Sequence, residues 1–145
     1  MNVSTKGRYA LRALTHLAIS FDEKNNTPVS IKEISSKEDI SNRYLENIFV
    51  AMRKANLVKS LKGEKGGFML AVPPDKITVF DILQAVEKGT ATTKCAADFD
   101  FCGNAPKCGI RKVWVRLDKL VSGYLKDTTL SEVTGSHTAM NKKAQ

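Results

Sequence analysis

Three cysteines are the side chains of this sequence best suited to chemistry. They are Cys95, Cys102 and Cys108, all the cysteines of the 145-residue chain, and they lie in the polar, turn-rich segment 94–112. Their spacing, C-x6-C-x5-C, is too wide for the C-x2-C pairs of structural zinc sites. Thiolates that hold an iron–sulfur cluster can lie further apart on a loop, because a cluster is wider than a single ion. The spacing therefore favours a cluster over zinc, with three unconnected reduced cysteines as the alternative.

Composition indicates a folded protein in a reducing compartment. With 42% hydrophobic residues, the chain can bury a core. The N-terminus lacks the apolar region of a signal peptide, and no stretch approaches the roughly 18 apolar residues of a membrane span. We therefore expect a cytoplasmic protein without membrane contact. An odd number of cysteines in such a compartment argues against a disulfide framework.

The excess of positive charge leans toward the first half of the chain. The formal net charge is +8, and residues 53–65 contain five lysines and arginines against a single glutamate. Such a run is usually only a solvated face, but a basic stripe beside a recognition helix is also what phosphate binding requires.

The N-terminal half has the pattern of a helix-turn-helix. Apolar residues recur at helical spacing over 9–21, which predicts a first amphipathic helix. Ser30 and Glu33 form the sequence pattern of a capping box and open a second, short helix. Ser41 opens a third helix, with apolar residues on one face and polar residues on the other. A tight polar turn between two short helices is typical of DNA-binding proteins whose second helix enters the major groove.

A predicted β-hairpin follows directly. Residues 57–61 and 68–72 have the pattern of strands around a glycine-bounded turn at 62–67. In this position the hairpin is a wing, and its cationic tip can lie along phosphates or in a minor groove. Glycines such as Gly63 would let the backbone approach DNA, or would simply allow positive φ in the turn.

The second half is predicted to be helical on both sides of the cysteine loop. One helix opens at Thr78 and stops at Gly89. A sustained apolar stripe predicts a long helix over 109–126, which needs a partner face. We expect the same helix of a second subunit there, with packing against the first helix of the same chain as the alternative. The polar tail, 135–145, is expected to be flexible.

These elements predict a mainly α fold with a small β-wing: a winged helix-turn-helix head plus a long dimerisation helix. The expected domains are a DNA-binding head, 1–74, and a helical dimerisation region, 75–134, that contains the cysteine loop, 90–109. The sequence contains no carboxylate pair, nucleophile motif or nucleotide-binding loop that would predict an enzyme. A thiol-based redox enzyme is disfavoured, because no C-x-x-C motif is present and no histidine lies near the cysteines in sequence.

Four segments together resemble one known family. They are STKGRYALRAL, ISNRYLENIFVAMRKANLVKSLKGEKGGFML, TVFDILQAVE and the three-cysteine loop, and the likeness covers about residues 1–134. The chain resembles the Rrf-type winged-helix transcriptional regulators, the family of the iron–sulfur cluster regulator IscR and the nitric-oxide sensor NsrR. This resemblance implies a homodimer that binds palindromic operators in double-stranded DNA.

The resemblance also implies site residues. Cys95, Cys102 and Cys108 would hold the cluster, with [2Fe–2S] favoured and [4Fe–4S] as the alternative. The start of the third helix and the tip of the wing would contact DNA. In IscR the wing tip is an arginine, and the lysine here keeps the charge but lacks the guanidinium fork. The complete predicted DNA-binding set is Ser30, Ser41, Asn42, Arg43, Tyr44, Glu46, Arg53, Lys62, Gly63 and Lys65.

The fourth cluster ligand is where this sequence departs from its relatives. IscR has a histidine three residues after the last cysteine, where this chain has Arg111. NsrR uses a carboxylate near the N-terminus of the partner subunit, where this chain has Arg8. Arginine stays protonated and cannot ligate. Within this chain, His16 is interpreted as a structural residue of the first helix, His137 lies in the polar tail, and Asp98 and Asp100 are interpreted as solvated loop acids. The fourth ligand is left open between water, a small thiol and a residue of the other subunit.

The predicted function is a transcriptional regulator that senses iron–sulfur status, redox state or nitric oxide. We hypothesise that cluster binding orders the loop, 90–109, fixes the dimer helix relative to the heads and so sets the half-site spacing that the dimer can span. Two alternatives are a cluster-free regulator controlled by a partner protein and the thiol-based redox enzyme.

Overall fold

The computed structural model describes residues 2–145. Over these residues the chain forms seven α-helices, one two-stranded sheet and two short 3-10 helices, at Pro74–Lys76 and Ala105–Lys107. Within the same range, no helix is both long and apolar enough to cross a bilayer. The main elements are α1 Thr5–Glu23, α2 Ile31–Glu38, α3 Asn42–Lys54, β1 Val58–Leu61, β2 Gly67–Leu70, α4 Val79–Val86, α5 Lys94–Ala97, α6 Arg111–Asp127 and α7 Leu130–Lys143.

The helices of the head begin at serines that cap them. The Ser4, Ser30 and Ser41 hydroxyls accept hydrogen bonds from backbone N–H groups of the first turns of α1, α2 and α3, at 3.1, 3.1 and 3.2 Å. Each cap satisfies a donor that the helix leaves unpaired. Between α2 and α3 the chain turns at Asp39, whose φ of 53° is left-handed and ends α2. The predicted helix-turn-helix is confirmed.

One hydrophobic core joins the head to α4 and α7. Phe49 of α3 lies at its centre, fully buried, with its ring centroid 4.4 Å from that of Phe68 in β2. The two rings fasten the recognition helix to the wing. The other large, fully buried side chains include Leu14, Leu17, Ile34, Leu45, Ile48, Met52, Leu70, Ile77, Ile82 and Leu130.

The Phe49→Ala variant is expected to be strongly destabilised, by about 3–5 kcal/mol, because it leaves a cavity and removes the contact with Phe68. The free energy of unfolding can be measured by urea titration. An unchanged m-value would show that the variant and the parent protein expose the same amount of surface on unfolding. Val50→Ala is the matched control, because Val50 is adjacent to Phe49 on α3 and its side chain is 45% exposed. That change should cost less than about 0.5 kcal/mol. Equal costs for the two variants would contradict the packing described here.

The wing is a two-stranded antiparallel hairpin extended by one further bridge. β1 pairs with β2 in a register that places Val58 opposite Leu70. Val29 exchanges two backbone hydrogen bonds with Phe68, at 2.8 and 2.9 Å. This bridge passes close to Gly67, whose φ is 153° and where a Cβ would lie 2.5 Å from the Val29 carbonyl oxygen. A side chain there would separate the wing from the segment before α2.

The end of the chain differs from expectation. The polarity of the tail, 135–145, predicts a flexible segment, but α7 continues as a helix to Lys143. Thr129 caps α7, the Leu130 N–H donates to the Ile77 carbonyl at 2.8 Å, and Leu130 is fully buried. α7 also packs along α1. These tertiary contacts supply the stability that the polar sequence of the helix does not.

The long helix α6 has no buried residue. Its main contacts are with α4 and α5. The apolar stripe predicted for it therefore stays accessible in the single chain, with Val113 59% and Leu120 64% exposed. The alternative in which this stripe packs against α1 does not describe the structure.

Candidate DNA-binding surface and cysteine loop

All ten residues of the predicted DNA-binding set are exposed. On α3 they lie opposite a buried face that includes Leu45 and Met52, so the helix presents its polar side chains outward. Ser30 and Ser41 use a hydroxyl oxygen as a cap acceptor. A hydroxyl also has a proton to donate, and a cap serine can therefore bind a phosphate oxygen as well.

The tip of the wing is a tight turn. The Gly66 N–H donates to the Gly63 carbonyl at 3.0 Å, and Gly63 has a φ of 116°, a conformation that disfavours any side chain. Exposed Lys62 and Lys65 lie on either side of Glu64. The tip is therefore cationic overall, with both lysines accessible to phosphates.

A brace that sequence reasoning missed connects the recognition helix to α1 and α2. The rings of Tyr9 and Tyr44 meet edge to face at 5.8 Å, and the Arg12 guanidinium lies 5.7 Å from the centre of the Tyr9 ring. Arg12 also forms an ion pair with Glu38 of α2, whose other oxygen contacts His16 Nε2 at 2.6 Å. The Tyr44 ring of α3 is thus held by Tyr9 of α1, and Arg12 connects Tyr9 to Glu38 of α2. Tyr9, Arg12 and His16 recur at helical spacing on α1, but nothing in the sequence indicates their partners on α2 and α3.

Folding lowers the pKa of Glu38, so acid is expected to weaken this brace. Burial alone would raise the pKa of Glu38, but the hydrogen bond with His16 and the charge of Arg12 outweigh it, so the pKa lies below its usual value. A carboxyl whose pKa is lowered by folding stabilises the native state above its unfolded pKa. That contribution is lost as pH falls through the folded value. Both histidines have partners within the chain. His16 contacts Glu38, and His137 contacts Asn141 on α7 at 3.0 Å.

The cysteine loop has local structure of its own. Cys95 lies in α5, a four-residue helix capped by Thr93, and Cys108 follows the 3-10 helix Ala105–Lys107. Both are half-buried, whereas Cys102 is exposed, and all three thiols are free. The Thr93 hydroxyl lies 3.4 Å from the Cys95 sulfur.

The donor type in this loop suits iron, but the donors are not gathered. Three soft, free thiols in one accessible loop are the ligands that iron–sulfur clusters take. Within residues 2–145, however, no three cysteine, histidine or acidic side chains lie close enough together to hold a metal ion. Of the candidate loop acids, Asp98 accepts a hydrogen bond from the Asp100 N–H at 2.9 Å and so serves as a turn residue. The chain alone supplies the chemistry of a cluster site without its geometry.

Comparison with known proteins decides the family. The Rrf2 family, described as iron-dependent transcriptional regulators, matches residues 3–136. The chain belongs to the Rrf2 family. Similar proteins include the HTH-type transcriptional regulator IscR of Cereibacter sphaeroides, 38% identical over 135 residues that cover 92% of this chain and 86% of the relative.

Solved structures agree with this assignment. CymR, the global cysteine regulator of B. subtilis, is 32% identical and superposes with a TM-score of 0.77 over 94% of this chain and 98% of its own. T. potens IscR is 34% identical, with a TM-score of 0.71 over 100% of this chain and 89% of its own. The Rrf2 chain is therefore a DNA-binding transcriptional regulator with a winged-helix fold, as predicted. Its relatives are regulators, which argues against the thiol-based enzyme.

Proposed function

We propose that this Rrf2 regulator binds palindromic DNA as a homodimer and senses iron–sulfur status, redox state or nitric oxide through a cluster held by Cys95, Cys102 and Cys108. The observation that carries the proposal is one chain that combines an outward polar recognition helix, an uncovered apolar face on α6 and three free thiols on the loop before α6. DNA reading, dimerisation and sensing each have a separate surface.

The DNA contacts follow from the shape of the head. The N-terminal turn of α3, with Arg43 and Glu46, would enter the major groove and read base edges. Ser30 and Ser41 would bind phosphates through hydroxyls already fixed as caps. Lys62 and Lys65 at the wing tip would contact phosphates of the adjacent groove. The other members of this proposed contact set are Asn42, Tyr44, Arg53 and Gly63.

Lys62→Ala is expected to weaken binding to all DNA sequences alike and to leave operator preference unchanged, because a phosphate contact carries no base information. The slope of log affinity against log salt should fall by about one for each wing that loses its contact. Fluorescence anisotropy over a salt series measures this slope. Lys142→Ala on α7 removes the same charge outside the recognition unit and should leave the slope unchanged. A Lys62→Ala slope equal to that of the parent protein would remove Lys62 from the interface.

A cluster would supply a redox-labile centre whose loss or oxidation reports the cellular state of iron, oxygen or nitric oxide. The three cysteines would hold it, and Arg111 and Arg8 cannot add a fourth ligand. A water, a small thiol or a residue of the second subunit would complete the set. The loop joins α4 to α6, so its conformation would set the angle of α6 and the distance between the two heads.

The experiment that tests sensing is an anaerobic ultraviolet–visible spectrum of the reconstituted protein, with iron and sulfide measured per chain. Broad visible absorption with about two or about four irons per chain supports the cluster and identifies its type. A colourless protein without iron or sulfide rejects it.

A second candidate is favoured by the dispersed thiols. In the described chain the loop contains the short helix α5 and a 3-10 helix, although its cysteines share no metal site. A regulator without a cluster, controlled by a partner protein, would keep the DNA-binding head and the dimer. The colourless outcome above, together with retained operator binding, would select it.

A further inference from the structure

Two hydrogen bonds fasten the backbone of the cysteine loop to α6. Asp118 Oδ1 accepts from the Thr92 N–H at 2.7 Å, and Arg111 Nε donates to the Cys95 carbonyl at 2.8 Å. Arg111 and Asp118 are about two turns apart and share one face of α6. Both bonds are made with backbone groups of the loop, so they fix where the loop lies without using a thiol.

Arg111 makes a second contact that Asp118 does not. Its guanidinium lies 4.8 Å from the centre of the Phe99 ring, within cation–π range. One half-buried side chain therefore joins α6 to α5 and to the segment that follows α5. The neighbouring cations, Lys107 and Lys112, are exposed and line the same open groove of about 560 Å³.

The face of α6 that holds the loop is not its apolar face. Val113, Leu117 and Leu120 lie on another side of the helix and are exposed. α6 can therefore hold the loop and a second subunit at the same time. Any displacement of the loop relative to Arg111 acts on the first turn of the helix that carries the proposed dimer contact.

We propose that Arg111 is a positioning residue that clamps Cys95 and Phe99 to the start of α6. The clamp opposes the gathering of the three thiols, because it fixes Cys95 in a loop conformation where they share no metal site. This inference rests on the proposed function for its role in sensing. The clamp itself consists only of contacts within the chain. Cluster assembly and the clamped loop are then alternative states of the same segment.

The clamp can be tested by the reactivity of each cysteine in the reduced, cofactor-free protein. Alkylation by iodoacetamide, resolved by peptide mass spectrometry, gives a rate for each thiol. Arg111→Met keeps the length of the side chain but removes its charge and its donors, and should raise the Cys95 rate about tenfold by local opening of the loop. Arg111→Lys restores the charge and one donor and should recover at least half of the protection.

Two references make the result specific. Exposed Cys102 should change less than about twofold in every variant, and Lys112→Met, the same charge change on the adjacent residue, should leave Cys95 protected. The initial rate of iron and sulfide uptake should rise in Arg111→Met. An unchanged Cys95 rate, or an equal rise at all three cysteines with loss of helical circular dichroism, would overturn the clamp. If the Cys95 rates respond as expected but no variant takes up iron, the clamp is supported and the cluster part of the proposed function fails.

Discussion

A Leu120→Glu variant is expected to be a monomer with operator affinity reduced at least about a hundredfold. In the single chain Leu120 is 64% exposed, so the change should leave the fold of each subunit intact. In a symmetric dimer the substitution occurs twice in one interface. Each copy replaces the burial of a leucine, about 1.5–3 kcal/mol, with the cost of burying a carboxylate. A lone head binds one half-site and loses the gain of about 10²–10⁴ that joined heads provide.

Sedimentation velocity and anisotropy on a palindromic operator, at one fixed salt concentration, would measure both effects. Lys119→Gln is the matched control, because it makes the same change in net charge on an adjacent exposed residue outside the apolar stripe. It should remain dimeric and bind as the parent protein does. A Leu120→Glu protein that stays dimeric would place the interface elsewhere, and a parent protein that is monomeric at micromolar concentration would remove the dimer from the proposal.

The head could be predicted from the sequence because local and global signals agree there. Helical periodicity located α1, Ser30 and Ser41 marked the starts of α2 and α3, and the glycines marked the wing. Boundaries were less accurate. The predicted stop of α4 at Gly89 falls three residues after its observed end at Val86. The Glu87 carboxylate instead accepts hydrogen bonds from Ser4, which is distant in sequence but close in space.

Elements that depend on tertiary contacts could not be predicted. α7 has a polar sequence with Gly135 inside it, and it is helical because Leu130 is buried and the helix lies along α1. The brace from Tyr44 to Glu38 joins residues of three helices, and nothing in their spacing indicates the partners. Polar residues at helix positions carry little propensity signal, and packing decides their state.

For the cysteine loop, too, some features could be predicted from the sequence and others could not. The number of thiols in the loop could be read from the sequence, and their donor chemistry follows from the cysteine side chain. Their mutual distances could not, because they depend on α5, the 3-10 helix and Arg111. Spacing along a loop limits which ligand sets are within reach, but only the conformation of the loop brings the donors together.

Changing Cys95, Cys102 and Cys108 together to alanine is expected to lower the iron and sulfide content from about two or four atoms per chain to background, with loss of the visible absorption. Thiolates are the ligands that iron–sulfur clusters take, and these three cysteines are all the cysteines of the chain, so removing them leaves no thiolate to hold a cluster. The three thiols are not buried in the core, so the free energy of unfolding should change little. Operator affinity should then be the same with and without reconstitution.

Asp100→Asn is the matched control, because it removes a charge from the same loop and keeps the thiols. It should retain the iron content of the parent protein, and a loss would identify Asp100 as a ligand. Single Cys102→Ala and Cys108→Ala variants separate ligation from loop order, since a ligand change alters the spectrum while a loop change alters only the rate of uptake. Undiminished iron in the triple variant would exclude the cysteines as ligands. Operator binding that still responds to reconstitution would show that the signal enters the regulator by another route.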